Sequence, residues 1–261
     1  MTVGDPPGEK WYRRPSIRCK IMRMAYETGT WKQELGRQAG TLWVIKMLVT
    51  TGGIALFFYA YFWVMRDPLF AVTVMPVTWI DRLIPFWPPS FALYASLWAY
   101  VALGSALLRD DRELAAWGAA SVAMIVVGLG VFLVLPTKIP DPGIDWFSYP
   151  ALAFLKKVDV SGNACPSLHA AFAVFTSVVL HQTLTAVRAP RSLLACNVLW
   201  GLGIVYSTVA TRQHVALDVI AGSLLAAGGS VAYLRFAAIV KIRWPRLVPD
   251  QGQLLSRRRQ D

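Results

Sequence analysis

The chain has 261 residues, of which 56% are hydrophobic and 16% charged, with a formal net charge of +11. That balance is too apolar for a soluble domain of this length and points to a membrane protein. The positive charge does not indicate a nucleic-acid partner: the basic residues crowd into the two ends, and no nucleic-acid-binding motif accompanies them.

Residues 1–41 are expected to form a basic cytoplasmic segment. About forty polar residues precede the first apolar run, so that run is expected to be an uncleaved anchor. A spanning helix needs about 20 mostly apolar residues. Six stretches meet this: roughly Leu42–Met65, Ser90–Leu108, Leu114–Leu135, His169–Val187, Ser192–Ala210 and His214–Val240. The fold expected is therefore all-α, a polytopic bundle of six transmembrane helices over 42–240, followed by a basic cytoplasmic tail at 241–261. The apolar Leu69–Ile80 is short and contains Pro76, which predicts an interfacial or re-entrant piece. Pro85, Pro88 and Pro89 break the chain before the second span.

With both ends on the cytoplasmic side, the inner segments hold 18 Lys and Arg and the outer ones 6. This bias sets the expected orientation, with a bacterial-type inner membrane as the expected location. Lys46 and Arg235 lie near cytoplasmic helix ends and are expected to snorkel. Trp43, Trp63, Trp79 and Trp87 read as an interfacial belt. The pairs Gly128/Gly130 and Gly201/Gly203 read as helix-packing sites, His181 as a packing or locally hydrogen-bonded residue, and Arg257–Arg259 as a lipid-attracted tail. The cysteines Cys19, Cys165 and Cys196 have no metal-ligand spacing and are assigned to different compartments, so neither a disulfide framework nor a metal site is expected.

Two connections on the outer side carry candidate chemistry. The first leads through Cys165-Pro166-Ser167-Leu168-His169, where a proline is expected just inside the start of a helix. The free N–H groups of that first turn and the positive end of the helix dipole form an anion site, to which Ser167 adds a hydroxyl and His169 an imidazole. The second is the stretch from Tyr206 to Asp218. His214 and Asp218 are four residues apart and share one face of a helix. An acid one turn inside a span tends to be paired and functional; Asp218 can fix the His214 tautomer and leave its other ring nitrogen free to attack. The orientation puts both histidines on one side, near Lys138 and Arg212, and the fourth and sixth spans run in the same direction. Transferring phosphoryl groups need such a cage of cations and N–H donors.

Pro166-Ser167-Leu168-His169, followed 45 positions later by His214 and then Asp218, resembles the motifs of the type-2 phosphatidic acid phosphatase superfamily. That family has a six-helix membrane core and needs no metal. Its second motif reads Pro-Ser-Gly-His, and its third reads Ser-Arg, five residues, His, three residues, Asp. Ser207, His214 and Asp218 match the third motif in spacing. Leu168 replaces the glycine, Thr208 stands where the arginine belongs, and of the first motif only Lys138 has a counterpart. The resemblance implies a nucleophilic His214 that forms a phosphohistidine, oriented by Asp218. It further implies His169 as general acid, and Lys138, Ser167 and Ser207 as phosphate ligands, with Arg212 as a candidate for the missing cation. It implies no metal or other cofactor, and a phosphorylated membrane lipid as substrate. The Ser-Leu-His variant and the missing arginine are similar to a divergent branch that includes inositol phosphorylceramide synthase, so an alcohol could replace water as acceptor. Two other classes compete: an ion- or proton-coupled transporter, which would need polar residues across the bundle, and a metal hydrolase using His169, His214 and Asp218 as ligands.

Overall fold

A computed structural model describes residues 30–66, 69–158 and 162–239. Cys19 and Arg257–Arg259 lie outside the described residues, as do most of the basic N-terminal segment and the whole of the basic tail. Long apolar runs become helices because a bilayer offers the backbone no water and each N–H and C=O must be satisfied within its own segment. In chain order the helices are α1 (Trp31–Gly40), α2 (Trp43–Arg66), α3 (Trp79–Leu83), α4 (Phe91–Ala95), α5 (Leu97–Ala106), α6 (Asp111–Val134), α7 (Pro150–Val158), α8 (Leu168–Ala186), α9 (Arg191–Ala210) and α10 (Ala216–Ile239). Two short strands, β1 (Thr73–Val74) and β2 (Thr137–Lys138), pair in parallel.

Among the described residues five helices are long and apolar enough to cross a membrane: α2, α6, α8, α9 and α10 as far as Phe236. The stretch expected as the second span is helical but interrupted. A 3₁₀ turn at Pro88–Ser90 enters α4, and Ser96 separates α4 from α5. There the Ser96 N–H is shared between the carbonyls of Ala92 and Leu93, and its hydroxyl also donates to Leu93, which tightens the turn locally. Together α4 and α5 give about 24 Å of helix, short of the roughly 30 Å hydrocarbon core.

Helix α8 is the hub, packed against α5, α9 and α10, while α6 packs on α10 and α2. Its central position shows in its burial: 56% of its apolar window is enclosed by protein, against 11% for α2. Tyr100, Phe175, Val179, Met124 and Tyr233 fill the core around it, and the Tyr100 hydroxyl donates to Asn197 Oδ1 at 2.7 Å. Close approach is bought by small residues. Leu168, the residue that departs from the family glycine, inserts its side chain at Gly128 of α6, where a Cβ would stand 2.6 Å from Leu168 Cδ2. Gly201 likewise faces Ser177 and the Tyr100 hydroxyl, whereas Gly130 meets nothing within 4 Å.

Other expectations change once the packing is seen. Lys46 does not snorkel: it is 3% exposed, and its Nζ donates to the carbonyls of Gln38 (2.6 Å) and Ala106 (2.9 Å). It thereby satisfies orphan carbonyls at the ends of α1 and α5 with a cation, the favoured sign at a helix C-terminus. His181 is exposed on α8 rather than packed, because the buried face of that helix is already taken by Val179, Leu180, Thr183 and Leu184. The four tryptophans are exposed, as a belt requires.

Because Leu168 occupies the space a larger residue at 128 would need, Gly128→Val is expected to destabilise the protein by about 1–3 kcal/mol. Adding Leu168→Ala should recover part of that loss in thermal unfolding of the purified protein; a further drop in the double variant would contradict this fit.

Candidate active site

The two motif segments meet through their backbones. The Ser167 N–H donates to the Asp218 carbonyl at 2.9 Å, which sets the starts of α8 and α10 side by side. Gly222, one turn further into α10, lies against Ser167 so closely that a Cβ would stand 2.1 Å from the Ser167 carbonyl oxygen. Backbone cannot yield as a flexible side chain can, so only glycine fits.

Ser167 is the N-cap of α8, fully buried, with its Oγ accepting from the Ala170 N–H at 3.1 Å. Pro166 therefore precedes the cap, two positions ahead of the first helical residue rather than at it, and is joined to Cys165 by a cis peptide bond. With Ser167 Oγ engaged by Ala170, the N–H groups of Leu168 and His169 have no intrahelical acceptor, and they carry the positive end of the α8 dipole. Nearby, Cys165 is half-buried; burial, and then the Asp218 charge, push its thiol pKa up.

His214 lies in the turn ahead of α10 rather than on it. The N–H groups of Gln213 and His214 both donate to the Thr208 carbonyl at 3.0 Å, which closes the turn against the end of α9. Asp218, in the first turn of α10, still reaches back: its Oδ2 accepts from His214 Nδ1 at 3.1 Å. Since a carboxylate accepts, Nδ1 carries the proton and Nε2 keeps its lone pair. Asp218 is fully buried, and its Oδ1 has no hydrogen-bond partner among the described residues.

His169 stacks flat on Tyr94, with ring centroids 3.9 Å apart and planes at 10°. Its Nε2 lies 2.9 Å from the Tyr94 carbonyl oxygen. A carbonyl only accepts, so Nε2 carries a hydrogen, and Nδ1 is the nitrogen left for exchange. The two imidazoles are close enough for their charges to interact.

Lys138 is exposed on β2, and the same strand holds the approach to α8. Thr137 bridges Asn163 in parallel; its carbonyl accepts from Ala164 at 3.0 Å and its Oγ1 from the Cys165 N–H at 2.8 Å. Ser207 and Arg212 are engaged elsewhere. The buried Ser207 donates its hydroxyl to the Ile204 carbonyl at 2.6 Å. Arg212, at φ 55, donates to the carbonyls of Asp81 (3.2 Å) and Ile84 (2.9 Å). Among the described residues no three His, Cys, Asp or Glu side chains gather as a metal-ligand set.

Sequence reading missed two neighbours. Tyr94 sits in the broken α4, where an aromatic gives no sign of an imidazole partner. Asp81, 3% exposed, accepts from the Thr78 N–H and hydroxyl through Oδ2 and from the Ala216 N–H through Oδ1, each at 2.7 Å. Burial alone would raise its pKa. The hydrogen bonds from Thr78 and Ala216, with the Arg212 charge, outweigh burial and hold the carboxyl below its ordinary range. The positive end of α10 is thus already occupied by a carboxylate, and of the two helix starts it is α8 that remains open to an anion.

Long apolar helices, with the His214–Asp218 pair beside the start of α8, define a multi-pass helical membrane protein. Residues 114–242, which include Ser167, His169, His214 and Asp218, match the PAP2 superfamily. The match is consistent with the type-2 phosphatidic acid phosphatase superfamily, whose members are phosphatases or phosphotransferases. Comparisons with curated proteins and with solved structures returned no match.

Gly222→Ala is expected to force the starts of α8 and α10 apart. The variant should lose about 2 kcal/mol or more of stability, seen in thermal unfolding, whereas Gly228→Ala, with open space around it, should unfold as the parent does.

Proposed function

We propose that the protein is an integral membrane lipid phosphatase that hydrolyses a phosphomonoester or pyrophosphate on a lipid at the non-cytoplasmic face, through a phosphohistidine on His214. The observation that carries this reading is the pairing of His214 Nδ1 with the buried Asp218. It fixes the tautomer whose free Nε2 can attack phosphorus. The α8 N-terminus beside it, with Ser167 at its cap, offers N–H donors and positive potential to the phosphoryl oxygens, and Lys138 adds a cation from β2.

In this mechanism Nε2 of His214 forms the P–N bond as the P–O bond to the lipid breaks, and His169, entering the step as the doubly protonated ring, gives the departing oxygen its Nδ1 proton and becomes neutral while Nε2–H stays on the Tyr94 carbonyl. A water, deprotonated by the same His169, then releases phosphate from His214. Asp218 stabilises the charged imidazole throughout. Ser207 and Arg212 join as phosphate ligands only if the substrate draws them from the backbone carbonyls they now hold. The six-span topology with both ends cytoplasmic, and the inner-membrane location, belong to the same proposal; they rest on the lysine and arginine bias, with the α4–α5 pair as the sixth crossing. A head-group transferase would use the same histidines. Of the two departures that suggested it, Leu168 is accounted for by its packing at Gly128, while Thr208 still stands where the arginine belongs.

His214→Ala is expected to abolish phosphate release from a panel of lipid phosphates, and His169→Ala to lower it about 10²–10⁴-fold, the usual contribution of a general acid. Vanadate should inhibit and chelators should not. Near-parent rates in His214→Ala would exclude the mechanism, and a new phosphorylated lipid in place of free phosphate would select the transferase.

A further inference from the structure

The turn bearing His214 is held from outside the family-matched region. Three of its groups are tied to the short segment around α3. The Ala210 carbonyl accepts from the Trp87 N–H at 2.9 Å, the Arg212 guanidinium donates to the carbonyls of Asp81 and Ile84, and the Ala216 N–H donates to Asp81 Oδ1. Asp81 is the common point, since it contributes both its carboxylate and its backbone. Its other oxygen is anchored by Thr78, so the carboxylate is fixed before it meets α10.

From this geometry we infer that Asp81 is a positioning residue for His214: it caps α10 across the chain and sets the turn from which the imidazole reaches Asp218 and the phosphoryl group. The inference rests on the reading of His214 as nucleophile. The physical case is one of leverage. Ala216 is the first residue of α10, two positions after His214 and two before Asp218. Its N–H is one of the orphan donors at a helix start, and residues 214 and 215 place no side-chain acceptor on it. A carboxylate is the strongest such acceptor and has the sign the helix dipole favours. Without it the buried N–H has to find another partner, and the turn between Ala210 and Ala216 is free to shift. A misplacement of about 1 Å at a reacting nitrogen costs about a hundredfold in rate.

The test uses the full-length protein in lipid nanodiscs with a lipid phosphate as substrate. Asp81→Ala is expected to lower kcat about a hundredfold with KM little changed. Asp81→Asn keeps an oxygen for the Ala216 N–H and should recover kcat to within about tenfold of the parent. Imidazole NMR provides a readout that needs no turnover, because the chain has 3 histidines: the His214 signal should move in both variants while the exposed His181 stays fixed. If Asp81→Ala does not fold, Asp81→Asn alone decides, through the His214 signal. Should the parent release no phosphate while the His214 signal still moves, the positioning role stands and the enzymatic reading falls. An unmoved His214 signal, or a loss of activity that follows only the loss of folded protein, overturns the inference.

Discussion

The starts of α8 and α10 touch backbone to backbone, with the Ser167 N–H on the Asp218 carbonyl and Gly222 against the Ser167 carbonyl. Every other feature of the site depends on this contact. It brings a helix N-terminus with its unpaired N–H groups beside a carboxylate that orients an imidazole. It also fits α8 being the most enclosed of the long helices: its N-terminal end meets the start of α10 while its sides pack on α5, α9 and α10. A side chain at residue 222 would separate the two motifs however well each were formed alone.

The two motif histidines are given different surroundings. His214 is paired with a carboxylate, which fixes Nδ1–H. His169 stacks on Tyr94 and donates Nε2–H to a neutral carbonyl. Environment thus separates two identical rings by tautomer: His214 holds its hydrogen on Nδ1, and His169 on Nε2.

The cations illustrate how a charge in a helical membrane protein finds a structural use. Lys46 and Arg212 both end on backbone carbonyls, and Arg109 pairs with the buried Glu113. Little water is available to solvate an open carbonyl near the bundle, so a nearby cation is drawn to it. Lys138, on an exposed strand, holds no such carbonyl among the described residues.

The sequence by itself determined the long helices and the pairing of His214 with Asp218. Apolar runs of spanning length located α2, α6, α8, α9 and α10 to within a few residues, because a bilayer imposes length and polarity directly on the chain. The spacing of His214 and Asp218 foretold their hydrogen bond, since a separation of four is local and survives His214 lying in the turn rather than on the helix. Tertiary structure decided what depends on partners distant in the chain: the break at Ser96, Tyr94 beneath His169, Leu168 seated at Gly128, Arg212 turned to carbonyls, and Asp81 at the head of α10. Residues 81 and 216 are far apart along the chain, and no local period records that one supplies the acceptor the other's N–H requires.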